Sequence, residues 1–121
     1  MWKATLFLSS LLIAFNSWAE PATAERIYMS TCIACHGADG AGGMPGVSDL
    51  TDPAGSLNKS DQELFDAIRN GISPSPGGIV MPPNGGNQDL TDTEVYGLVH
   101  YLRTTFGRTE DVATHTIGDE K

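Results

Sequence analysis

Both cysteines of the chain stand within one five-residue cluster, Cys32-Ile33-Ala34-Cys35-His36, with an imidazole directly after the second thiol. The cluster limits how so small a protein can be held together. Two cysteines allow at most one disulfide, so the chain is a poor candidate for a disulfide scaffold. Its 121 residues include 14 Gly and 7 Pro, which commit much of the length to turns, and a single domain of this size has little apolar core to spare. A bound group is the natural source of the missing core.

The spacing identifies the kind of group. C-x-x-C-H is the attachment signal for c-type haem: each thiol adds across one vinyl group of the porphyrin, and the adjoining histidine reaches under the iron. A thioredoxin-like redox dithiol shares the C-x-x-C pair but sits in a βαβ pattern that is absent here, and a zinc site would need a fourth ligand of matching spacing. The expected cofactor is one haem c, bound through thioethers to Cys32 and Cys35, with His36 as proximal metal ligand.

The chain opens with MWKATLFLSSLLIAFNSWAE, one lysine ahead of an apolar run from Leu6 to Phe15. That layout is a secretory signal peptide, and the run is about half the ~20 apolar residues a membrane span needs. Cleavage is expected after Ala19, with Ala22-Thr23-Ala24 as a second site, giving a leader over residues 1–19 and one domain over 20–121. Loss of the leader removes Lys3 and no acid, leaving six Lys and Arg against 15 Asp and Glu, a net charge of −9. Such a charge argues against nucleic acid or an anionic membrane as partner and suits a basic docking surface. No stable membrane anchor is expected, and the location implied is the periplasm.

Three helices are legible. Residues 23–32 read as one, with Thr23 as its N-cap, running directly into the cysteine cluster. Ser60-Asp61-Gln62-Glu63 is a capping box ahead of Leu64, Phe65 and Ile68, stopped by Asn70-Gly71. Thr91-Asp92-Thr93-Glu94 repeats the box, and Val95, Leu98, Val99, Leu102 and Phe106 form one helical stripe ending at Gly107. Between them lie two long loops, 37–59 and 72–90, and residues 108–121 read as a loose acidic tail. With no β alternation of useful length, the fold class is all-α.

A haem iron has a second axial position, for which the side chains on offer are Met29, Met44, Met81, His100 and His115. Met29 lies one turn before Cys32 on the same helix, and Met44 has a short reach around a wide ring. His100 sits beside the stripe of the last helix, and His115 in the tail. Met81 is the favoured candidate: it lies on the second long loop, 45 residues after His36, and Pro82-Pro83 stiffen the backbone that carries it.

Cys32-Ile33-Ala34-Cys35-His36-Gly37, the late Met81-Pro82-Pro83 and a last helix bearing Tyr101-Leu102 resemble a class I cytochrome c, the small soluble monohaem type, of the bacterial periplasm. The resemblance covers nearly all the mature chain. It implies the cytochrome c fold, three main helices and long loops wrapped around one haem, with Tyr28 and Tyr101 at the crossing of the first and last helices. It also implies that Pro45, nine residues past His36, offers its carbonyl to the ligand histidine. The ring is expected to be buried against Tyr28, Leu50, Leu57, Ile68, Leu98 and Leu102, with Gly77-Gly78-Ile79-Val80 and Gly85-Gly86 near an exposed edge.

The function implied is one-electron transfer with His36 and Met81 as axial pair, between periplasmic redox proteins: a dehydrogenase as donor, an oxidase or reductase as acceptor. Nothing in the chain reads as a substrate pocket or catalytic base, so no enzyme is expected. Two alternatives stand beside the carrier: the haem subunit of a periplasmic dehydrogenase, and a sensor or peroxidase-like haem with an open axial site.

Overall fold

The computed structural model describes residues 21–107 except Pro74, Ser75 and Gly77; the expected leader and the expected loose acidic tail lie outside these residues. The described chain holds α1 (Pro21–Ile27), a wide π-turn over Tyr28–Cys32, α2 (Ile33–His36), α3 (Asp61–Asn70), a 3₁₀ turn (Pro83–Gly86) and α4 (Asp92–Phe106). Among the described residues there is no strand, only an isolated antiparallel bridge between Ile72 and Met81.

The first helix is longer than its sequence pattern indicates. It is under way by Pro21, where a missing N–H costs nothing in a first turn, so Thr23 lies inside the helix and not at its N-cap. The turn that carries Tyr28 to Cys32 is one residue wider than an α-turn: the amide of Ile33 donates to the carbonyl of Tyr28. Five residues per hydrogen-bonded loop change the angular step between Tyr28 and Cys32. Tyr28 can thus face α4 while the cysteines turn toward the middle of the molecule.

Both capping boxes form as read. The Ser60 hydroxyl accepts the Glu63 amide at 3.2 Å while Glu63 Oε2 accepts the Ser60 amide at 2.8 Å; Thr91 and Glu94 repeat the exchange at 3.3 and 2.8 Å. These local signals start α3 and α4 at the residues expected.

The helix of residues 21–36 packs on α4 through aromatics. Tyr28, fully buried, has its ring centroid 5.5 Å from Tyr101 and 5.3 Å from Phe106, and its hydroxyl donates to the Gly37 carbonyl at 2.6 Å. The Tyr28–Tyr101 contact is the one the family resemblance implies; Phe106 adds a third ring. Burial, and then the neighbouring Cys32, push the Tyr28 phenol up to about 12, so it stays a donor at any physiological pH.

The stripe on α4 buries Val95, Leu98 and Val99, with Leu102 and Phe106 partly covered. An arginine joins it: Arg103 is only 6% exposed. Its guanidinium donates to Asp61 at the head of α3 and to the carbonyls of Leu57 and Lys59, so one side chain ties α4, α3 and the end of the first loop. Arg103→Met keeps the apolar stem but leaves both carbonyls without this donor. The expected loss is about 2–3 kcal/mol, the scale of charge-assisted hydrogen bonds, read as a lowered urea midpoint of the haem-loaded protein.

Candidate haem site

The described helices and loops surround an apolar cavity of about 290 Å³. The two cysteines enter it from the wide turn and α2, three residues apart on a helical stretch, which brings i and i+3 side chains to one side. Both thiols are free. Burial, and then the proximity of Cys35, push the Cys32 thiol up to about 11, so it is protonated at neutral pH.

His36 ends α2 and lines the same cavity. Its Nδ1 lies 3.3 Å from the Ser48 carbonyl oxygen; a carbonyl only accepts, so Nδ1–H donates and Nε2 is the nitrogen left with a lone pair. Burial holds the imidazole below its ordinary pKa against the opposing pull of that hydrogen bond, which favours the neutral form able to bind a metal. The acceptor is a correction to the sequence reading, which assigned it to Pro45. Pro45 is exposed and does not line the cavity. The loop folds back three residues further on, with the Val47 amide on the Met44 carbonyl at 3.2 Å, and that turn carries Ser48 to the ring.

Met81 reaches the cavity from the second loop. Its main chain is held on both sides by Ile72, the Met81 amide donating to Ile72 O at 3.0 Å and the Ile72 amide to Met81 O at 2.9 Å. The other described sulfur and imidazole groups stand apart from it: Met29 and Met44 are 47% and 41% exposed, His100 is exposed, and none of the three lines the cavity. His115 lies outside the described residues.

Of the apolar residues expected around the ring, Tyr28, Leu50, Leu57, Ile68, Leu98 and Leu102 all face the cavity. Sequence reasoning missed Leu64, Ala67, Ile72, Asn84 and Lys59, which line it too. Leu64 and Ala67 were within reach of helical spacing, since they share the α3 face of Ile68. Asn84 carried no such signal: it is buried at φ +55°, and its Oδ1 accepts from Arg69 at 3.3 Å. Arg69 also donates to the Leu90 carbonyl at 2.6 Å and pairs with Asp92 at 2.5 Å. Ile79 and Val80, at the rim, are 41% and 59% exposed, while Gly77 lies outside the described residues.

Apolar walls, two thiols at one edge, an imidazole with its outer nitrogen engaged and a thioether from a separate loop suit a haem. The residues present fit the group. No His, Cys, Asp or Glu cluster among the described residues offers a competing metal site.

A mostly helical shell with this donor set suits a haem protein. The chain belongs to the cytochrome c family, with the small monohaem class I proteins: residues 19–102 match the family model described as cytochrome c oxidase, cbb3-type, subunit III. It is similar to cytochrome c-555 of Chlorobaculum tepidum, 32% identical over 101 residues that cover 83% of this chain and 91% of the relative. It is also similar to cytochrome c-551 of Pseudomonas aeruginosa, 30% identical over 90 residues that cover 74% and 85%. No solved structure gives a match. Membership of this family makes the chain an electron-transfer haem protein, and none of its described helices is long and apolar enough to cross a membrane.

Proposed function

We propose that the chain is an exported one-electron carrier of the periplasm, holding a single haem c through thioethers at Cys32 and Cys35, with His36 and Met81 as axial ligands. The observation that carries this reading is convergence: two thiols, one imidazole and the Met81 thioether come from separate elements onto one apolar cavity, while the other described Met and His side chains stay off it. Held by Cys32, Cys35, His36 and Met81, a haem would supply a one-electron couple. Everything else falls to the chain. The Ser48 carbonyl orients His36, the apolar walls exclude water, and the soft sulfur of Met81 would favour the reduced state of a bound iron.

Ile72, Ile79 and Val80 both line the cavity and stand exposed, so they form an apolar rim through which a partner would approach. With the net charge of −8 over the full chain, the partners proposed are redox proteins with a basic docking surface, a dehydrogenase as donor and an oxidase or reductase as acceptor. The description carried by the matched family favours a second reading, a haem subunit of a larger oxidoreductase complex.

The test is made on protein exported from cells able to mature c-type cytochromes. Haem colour that survives denaturation, a mass one haem above the chain cut after Ala19, and a weak far-red band in the ferric spectrum are expected. Haem released by denaturant would exclude the thioethers, and absence of the band would exclude methionine sulfur on the ferric iron. Migration of a native extract as a small monomer favours the carrier, and co-migration with larger chains favours the subunit.

A further inference from the structure

The residue that ends α3 does more than stop a helix. Gly71 has φ +74°, and a Cβ on it would overlap the carbonyl oxygen of Met81 and lie 2.8 Å from the Pro83 nitrogen and 3.0 Å from the Pro82 carbonyl carbon. All three are main-chain atoms of the loop that carries the thioether. A flexible side-chain end could swing aside; a Pro-Pro backbone cannot. The next residue, Ile72, holds both the amide and the carbonyl of Met81.

The far side of the loop is equally tied. Arg69, two residues before Gly71, grips Asn84 and the Leu90 carbonyl, so the segment from Met81 to Leu90 is fastened at one end to Ile72, just past α3, and at the other to Arg69 within it. A shift imposed at Gly71 cannot be relieved by sliding the whole loop and must fall on Met81-Pro82-Pro83. The same helix gives Leu64, Ala67 and Ile68 to the cavity wall. Its C-terminus therefore sets where the Met81 sulfur stands relative to the walls that hold the ring.

We infer that Gly71 is a positioning residue for the methionine ligand: the missing Cβ lets the Met81 backbone lie against the end of α3, and any side chain there pushes the sulfur off the iron. The inference rests on the proposed ligation by Met81. It assigns control of that bond to a residue that does not line the cavity.

The experiment compares haem-loaded wild type, Gly71→Ala and Gly86→Ala. Gly86 also has a positive φ, +91°, but the new Cβ meets only Pro82 Cγ at an ordinary 3.9 Å. Gly71→Ala is expected to weaken the ferric far-red band and to tighten carbon monoxide binding to the ferrous protein about tenfold, since apparent affinity scales with the fraction of molecules whose sixth position is open. Gly86→Ala is expected to leave both readouts at the wild-type level, even where its denaturation midpoint falls. At φ +74° and ψ 176° position 71 lies in a region essentially reserved for glycine, so if Gly71→Ala fails to load haem, the same variant matured at lower temperature supplies the two readouts.

Wild-type band and carbon monoxide affinity in the Gly71 variant would overturn the inference while leaving Met81 as ligand. Equal changes in both glycine variants would also overturn it, reducing the effect to loop destabilisation. A wild type without the band would remove the ligand assignment itself, and this inference with it.

Discussion

Met81→Ala is expected to abolish the far-red band, open the ferrous protein to carbon monoxide and lower the midpoint potential on the order of 200 mV, within the ~0.8 V over which axial ligands set haem potentials. The reason is local. Met81 is the one methionine among the described residues that faces the cavity, with Met29 and Met44 both exposed, so no second described sulfur stands ready to replace it. The loss acts on the site and spares the fold, because Met81 is only partly buried and the Ile72 bridge is made by main-chain atoms. Redox titration and the visible spectrum, with far-UV circular dichroism as control, check it. A variant with an unchanged potential would mean that Met81 does not ligate, and the reading of an open axial site would come forward.

A larger structural effect is expected from losing the haem. Leu50, Leu57, Ile68 and Leu98 are buried, but each also faces the cavity, so much of what counts as core is shared with the bound group. Leaving about 290 Å³ unfilled, at roughly 24 cal/mol per Å³, costs roughly 7 kcal/mol if the walls do not collapse. That is of the same order as the whole stability of a small domain, about 5–15 kcal/mol. The variant with Cys32→Ala and Cys35→Ala, prepared free of haem, is therefore expected to lose most of its helical circular dichroism and its cooperative urea transition. A sharp transition with native helix content would show that the aromatic contact of Tyr28 with α4 suffices alone, and would refute the bound group as a necessary part of the core.

These effects bear on how far the chain could be understood before its fold was known. The haem motif was legible because attachment chemistry demands a fixed spacing along the chain, and Cys32, Cys35 and His36 carry it within five residues. The starts of α3 and α4 were legible because a capping box is closed by residues three apart. Met81 stood out through the stiff prolines beside it, and Tyr28 through its place one turn before the first cysteine.

What remained hidden depends on partners distant in sequence. The acceptor for His36 is a backbone carbonyl, which every residue carries, so only the path of the loop could select Ser48 over Pro45. Arg103 sits in α4 as a charged residue of the kind usually left in solvent, and its burial follows from Asp61 and the carbonyls of Leu57 and Lys59, more than forty residues away. Gly71 reads as an ordinary helix stop; the backbone of Met81 that presses on it comes ten residues later in the chain. Local chemistry along the chain thus determined the cofactor, the class of fold and the helix starts, because spacing and caps act over one helical turn. The tertiary structure decided which groups orient His36 and Met81 and which residues share the cavity wall, because those contacts exist only once the loops have closed around it.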